Sequence, residues 1–329
     1  METTWSPNEG TTVTTNTTGD KDENEFDSTT LLILVKVLTV LAIFLCVLLN
    51  PLMLVTLRRV TSIQPTTKIF MASLTLSDLC NSLCRIFALT EELAGSWLLG
   101  DFLCVVDSVT IYLFNGLGII SLLLSTVDRY IAISRPLRYP SIMTVFRSKI
   151  IVFSTWVAMS ILCISIFGIN SSQIVSLDSR SSHCIAESYD WKRYLSFTLV
   201  VIPILSILIL YAHIALVARN QARRIAAENQ AGNGQGGQRI NTRSTTTIII
   251  ITGTLIITWM PTVIWLVMNS QNKSETYDSH LAAMFTQALV LSNGSLNVVI
   301  YYLRNRDLRQ ALRGLLSDWY HSLNQRFVH

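Results

Sequence analysis

Apolar runs long enough to cross a membrane alternate along this chain with shorter polar stretches. Six are plain: Leu31 to Leu57, Val105 to Ser134, Lys149 to Ile169, Tyr194 to Ala218, Thr245 to Met268 and Leu281 to Leu303. A helix of about 20 residues, rising 1.5 Å per residue, crosses roughly 30 Å of hydrocarbon. Each run therefore predicts a transmembrane helix. A seventh stretch, Lys68 to Leu93, is interrupted by Asp78, Asn81, Arg85 and several Ser and Thr residues. Without it, the loop from Arg58 to Asp101 would be long, largely apolar and without a partner, so it too counts as a span. The pattern predicts an all-α integral membrane fold, a seven-transmembrane-helix bundle over residues 31–303. After Tyr301, Leu308, Leu312 and Leu315 recur at helical spacing among Arg304, Arg306, Arg309 and Arg313. This predicts an amphipathic membrane-surface helix and short tail over 304–329, resting on membrane lipids.

Composition strengthens this picture. The 329 residues are 50% hydrophobic and 14% charged, where a soluble domain carries about 25% charged residues. Positive charge fixes the orientation, because Lys and Arg near span ends stay cytoplasmic. With seven spans, one side collects Arg58, Arg59, Arg135, Arg138, Arg223, Arg224, Arg304 and Arg309 among others, and the opposite side has only Lys21, Arg180, Lys192, Arg193 and Lys273. The N-terminus is expected outside and the C-terminus inside, across the plasma membrane; a six-span count would scramble the asymmetry.

Residues 1–30 lack the apolar core of a secretory signal peptide and are rich in Thr, Asn, Asp and Glu, which predicts a disordered extracellular tail. Asn16, Asn170 and Asn272 begin N-glycosylation acceptor triplets, all on the outer side. Asn293-Gly294-Ser295 fits the same pattern but lies within a span. Glu228 to Arg239 is polar and Gly-rich, as in a flexible loop. No internal repeat is visible, which counts against a transporter built from two halves. His213 has no acidic or cysteine neighbour, and no catalytic constellation stands out, so no enzyme is expected.

Scattered residues then form an ordered series with one or more in each span. Asn50 is followed by Leu74 and Asp78 as L-x-x-x-D, and by Trp97, Gly100 and Cys104 as W-x-x-G-x-x-x-C. Asp128-Arg129-Tyr130 ends the third span, with Pro136-Leu137-Arg138-Tyr139 after it. Trp156, Cys184, Pro203, Tyr211, Trp259-Met260-Pro261, Asn297 and Tyr301 complete the series. From Asn50 to Leu312 the chain resembles the rhodopsin-like (class A) G-protein-coupled receptors. Three positions depart from that pattern. Val298 replaces the usual Pro after Asn297, Leu49 stands where relatives often have Gly, and Gly118 where many have Ser.

The resemblance implies an extracellular ligand and a heterotrimeric G protein as partners, with no part for nucleic acid. Asp128, Arg129, Tyr130, Tyr211, Trp259, Pro261, Asn297 and Tyr301 would serve activation. Arg129 would pair locally at rest and swing toward the G protein when active, Tyr211 and Tyr301 approaching it through water. Pro261 removes a backbone hydrogen bond and loosens the sixth helix, whose inner end moves outward on activation. Relatives restrain this arginine with a second carboxylate twenty residues before the W-x-P proline; here that residue is Asn241. No cofactor is expected beyond a sodium ion as allosteric modulator at Asp78, Asn293 and Asn297. The alternative is a protonated Asp78 in a polar cluster, because Gly118 supplies no hydroxyl.

Cys104 and Cys184 are the only cysteines on the oxidising side, and a disulfide between them follows from compartment and agrees with the family; the alternative is two free thiols. Amine receptors place an Asp where this chain has Ile111, and opsins a retinal-binding Lys where it has Leu291. Ligand-binding candidates are Arg85, Asp107, Ile111 and Trp259. Arg85 would meet an anionic or carbonyl group, or else snorkel or pair with Glu91, Glu92 or Asp107. Asp107 would serve an amine in a shallower pose. Gln173 to Leu177 and Ser182 to Glu187 are expected to form a hairpin across Asp178-Ser179-Arg180, as in peptide receptors. A peptide ligand is therefore favoured, with a small amine or lipid as alternatives and a transporter as the more distant one.

Overall fold

A computed structural model describes residues 18–168, 175–177, 184–186, 190–230, 242–269 and 277–327. Seven long helices follow one another: α1 (Thr18–Arg59), α2 (Pro65–Ala94), α3 (Gly100–Ser134), α4 (Val145–Cys163), α5 (Asp190–Gln230), α6 (Thr242–Asn269) and α7 (Tyr277–Arg304). An eighth, α8 (Arg306–Phe327), follows α7. One helical turn, Tyr139–Ile142, lies between α3 and α4, and a π-helical turn, Ile164–Gly168, extends α4. Strands β1 (Val175–Leu177) and β2 (Cys184–Ala186) pair antiparallel. Six of the seven predicted spans each fall within one long helix; the fourth, Lys149 to Ile169, runs from α4 into the π-helical turn, and Ile169 lies outside the described residues.

Local chemistry sets several ends. Pro65 starts α2, where its missing N–H is no loss, and Gly95 at φ 73° closes it with its N–H on the Glu91 carbonyl at 2.8 Å. The Thr144 hydroxyl accepts the Arg147 N–H at the start of α4. Pro51, Pro203 and Pro261 lie inside helices that continue through them.

Among the described residues, five helices are long and apolar enough to cross a membrane, within Thr29–Arg59, Gly100–Ser134, Val145–Ile166, Phe197–Val217 and Leu281–Arg304. Gly253–Met268 of α6 is a shorter apolar stretch. The interrupted span, α2, is absent from this set, and its packing explains how it can be so polar. It touches α1, α3, α4 and α7, so other helices cover its polar face. Thr75, Ser77 and Ser82 are buried there and return their hydroxyls to the α2 backbone at 2.8 Å each. Bulky apolar side chains instead face outward on the peripheral helices, among them Ile33, Val37, Phe44, Phe153, Ile209 and Ile257, as lipid-facing surfaces require.

Two boundaries differ from expectation. The segment 1–30 was expected to be a disordered tail, yet α1 already begins at Thr18. A span that is helical anyway extends without a new nucleation cost. Likewise α5 continues past Ala218 to Gln230, taking in the first residues of the expected flexible loop. The amphipathic helix over 304–329 corresponds to α8, with Leu308 fully buried against Met53, Leu57, Val298 and Tyr302.

Candidate functional site

At the outer end of α3, a disulfide joins Cys104 to Cys184, with Cα atoms 5.6 Å apart. It ties β2 to the helix bundle. The expected hairpin is present in register Val175↔Ala186, Ser176↔Ile185 and Leu177↔Cys184; its turn at Asp178-Ser179-Arg180 lies outside the described residues, as do Asn16, Asn170 and Asn272. Trp97 packs on Cys104 and donates its indole N–H to the Gly100 carbonyl at 2.9 Å. The Glu91 carboxylate accepts the Cys184 backbone N–H at 3.1 Å. One cluster thus seats Trp97, Gly100 and Cys104 together.

Just inside this plug, Arg85 Nη2 pairs with Glu92 Oε1 at 3.0 Å, with only 12% and 10% of the two side chains exposed. Glu92 is one of the partners expected for Arg85. Asp107 is 6% exposed and its Oδ1 has no hydrogen-bond partner among the described residues. Ile111 follows one turn deeper on α3, half-buried.

Deeper still, a void of about 10 Å³, room for one water-sized occupant, is lined by Asp78, Asn81, Phe114, Asn115, Gly118, Trp259, Val290, Leu291 and Asn293. Asn81 donates to Asn115 at 3.0 Å, and Thr258 to Asn293 Oδ1 at 3.3 Å. A Cβ on Gly118 would stand 3.4 Å from Asp78 Oδ1, and one on Gly294 only 2.9 Å from the Asp78 Cβ. Glycine at 294 is what lets α7 approach the acid. Asn297 lies beside Asp78, yet Asp78 Oδ2 and Asn297 Nδ2 are both buried without a partner. A carboxylate lining a small polar void has the chemistry to hold a monovalent cation, although the void takes a single water-sized occupant and Gly118 contributes no oxygen. Trp259 belongs to one buried cluster with Leu122, Ile207 and Leu255 and lines the void, and Pro261 follows it in α6.

At the inner end, Asp128 is fully buried. Its Oδ1 accepts the Tyr139 hydroxyl and its Oδ2 the Thr67 hydroxyl, both at 2.7 Å. The Tyr139 hydroxyl is also 2.7 Å from Thr66 Oγ1. Burial, and after it the Asp128 carboxylate, push this phenol above its ordinary value. Arg129 was expected to pair with Asp128 at rest; instead it is exposed and joins no ion pair among the described residues. Adjacent helical positions point about 100° apart, and the Asp128 carboxylate is turned toward the Thr67 and Tyr139 hydroxyls. Arg129 instead has Tyr211 and Tyr301 as electrostatic neighbours, and Tyr130 stacks edge-on against His213 at 5.3 Å. Val298 is buried among Met53, Leu57 and Met71, and α7 runs unbroken through it.

Sequence reasoning noted Tyr139 within its motif but assigned it no role, and it missed Thr67 altogether. Nothing in spacing alone joins Thr67 to a residue 61 positions later.

A family profile described as "7 transmembrane receptor (rhodopsin family)" matches residues 49–301. The chain is similar to the histamine H2 receptor of Homo sapiens, 28% identical over 255 residues, covering 76% of this chain and 70% of that receptor. It is also similar to cannabinoid receptor type 1B of Takifugu rubripes, 29% identical over 268 residues, covering 74% of this chain and 54% of that one. Trace amine-associated receptor 8b of Rattus norvegicus is 31% identical over 156 residues, 45% of each chain.

Proposed function

Because the chain belongs to the rhodopsin family of seven-transmembrane receptors, we propose that it takes an extracellular ligand between the outer ends of its helices and activates a heterotrimeric G protein at the inner ends. The observation that carries this is the stacked arrangement of α3. The disulfide-held hairpin stands at its outer end, the Trp259-lined void beside its middle, and Arg129 stands exposed at its inner end. Ligand contact above Trp259 would favour outward motion of the inner half of α6, loosened at Pro261, and so open room for the G protein beside the exposed Arg129. Asp78, with Asn293 and Asn297, would hold a sodium ion, whose charge would stabilise the resting packing of α2 against α7. The hairpin over the entrance favours a peptide ligand; the relatives named for histamine and trace amines support an amine as the second reading.

The orientation follows from the positive-inside asymmetry. A tag ahead of Thr30 should be reachable by antibody on intact cells, and one after Phe327 only after permeabilisation. Labelling of both on one side would break the seven-span topology.

Nucleotide exchange on a G protein tests the receptor reading directly, and exchange above mock membranes is expected even without agonist. Arg129 lacks its partner at Asp128, and Asn241, outside the described residues, supplies no second carboxylate. A lost ion pair at a wet boundary is worth about 0.2 to 1 kcal/mol, so a small active population rises by up to about fivefold. Asn241→Glu should lower basal exchange at matched surface expression. A basal level equal to mock, or one untouched by Asn241→Glu, would count against the restraint.

A further inference from the structure

We propose that Asp107 is the counter-ion of a positively charged group on the ligand, an ammonium or guanidinium, held where the outer ends of α2 and α3 meet; this deepens, and rests on, the receptor reading above. Asp107 lies one helical turn inside Cys104 on α3. Its side chain is 6% exposed, and Oδ1 is buried with no hydrogen-bond partner among the described residues. Among the described residues its charged neighbours are Arg85, Glu91 and Glu92. Arg85 is already engaged with Glu92 at 3.0 Å, so among those residues one guanidinium faces three carboxylates.

A buried carboxylate oxygen without a donor is costly, and a cationic ligand group supplies both the donor and the missing charge. The opposite polarity fits badly, because an anionic ligand reaching for Arg85 would meet three carboxylates around a guanidinium that has a partner. A metal ion is also disfavoured, since no group of three or more His, Cys, Asp or Glu among the described residues is arranged to hold one.

The same face of α3 defines the rest of the ligand. Residues 107, 111, 114, 115 and 118 recur at helical spacing, and Phe114, Asn115 and Gly118 line the same void as Trp259. From Asp107 to Gly118 the helix rises roughly 16 Å. A ligand with a cationic head at Asp107 therefore lays an apolar body along Ile111 and Phe114. The head sits one turn shallower than an acid at position 111 would place it. A small amine and the N-terminus of a peptide both carry this chemistry.

Thermal stabilisation of the purified full-length chain tests the assignment. The probes are arylalkylamines, each beside its neutral alcohol counterpart, and short peptides, each with a free and an acetylated N-terminus; the responding arm identifies the source of the charge. At least one charged probe should stabilise the protein while its neutral partner does not. Asp107→Asn should weaken that probe by about thirtyfold or more, and Asp107→Glu by no more than about threefold. Equal action by charged and neutral partners, potency unchanged in Asp107→Asn at normal surface expression, or no stabilisation by any charged probe at millimolar concentration overturns the proposal. The paired probes need no variant, so the comparison stands even where Asp107→Asn fails to fold. Charged probes that bind through Asp107 without nucleotide exchange on any G protein would overturn the receptor reading and leave this one standing.

Discussion

Cys104→Ala and Cys184→Ala are each expected to remove most of the protein from the cell surface, and the double variant to be no worse than either. The bridge spans a sequence separation of 80 residues, and a loop of that length is worth on the order of 4 kcal/mol in the chain-entropy account. It also fixes β2 where Glu91 can accept the Cys184 N–H, and it backs the Trp97 packing at the start of α3. A loss of about 2 to 5 kcal/mol lowers the folded fraction roughly thirtyfold to several thousandfold, enough to unfold a marginally stable chain. Each single change breaks the same bond, so the effects cannot add. Surface labelling and thermal stability of the two single variants and the double variant check this. Defects that sum would mean that the two thiols act separately.

Much of the helix bundle was legible because span length and sidedness are properties of single segments. Even the polar α2 was recoverable, since an apolar stretch between two spans has nowhere else to go. The start of α1 was not, because composition alone does not distinguish an acidic tail from an acidic extension of a helix already formed. Within the site, Cys104 and Cys184 could be paired by compartment, and Asp78 could be placed with α7 by its cost in the membrane. The polarity of the outer subsite could not be read. Arg85 stands out in a hydropathy pattern as a lone cation, and only the fold shows that Glu92 takes it and that Asp107 is left with an unpartnered oxygen. The inner site misled for the same reason. Asp128 and Arg129 are neighbours in the chain, which suggests a pair, but adjacent helical positions point about 100° apart. Partners brought from α2 and the following loop occupy the acid instead.

Tyr139→Phe is expected to lower both thermal stability and basal nucleotide exchange, a combination that simple damage to the fold does not require. Asp128 is fully buried and its two oxygens depend on Tyr139 and Thr67. Removing the phenol leaves a buried carboxylate oxygen without a donor, at about 1 to 3 kcal/mol, and takes a partner from Thr66 as well. Thr67→Val orphans the other oxygen and should cost somewhat less. Because both act on one carboxylate, their effects should shrink together in an Asp128→Ala background. The vacated oxygen is then open to Arg129, whose ion pair would draw it from Tyr211 and Tyr301 and weaken coupling. The stability gap between the native chain and Tyr139→Phe should not change with pH from about 6 to 9. A phenol raised above 10.0 in the folded state contributes fully below that value, and loses its contribution only as pH climbs past it through the folded value. Thermal unfolding across that range, with basal exchange at matched surface expression, checks both signs. A Tyr139→Phe protein as stable as the native chain would show that the carboxylate is satisfied without the phenol. One with lowered stability but higher basal exchange would show that Arg129 does not take its place.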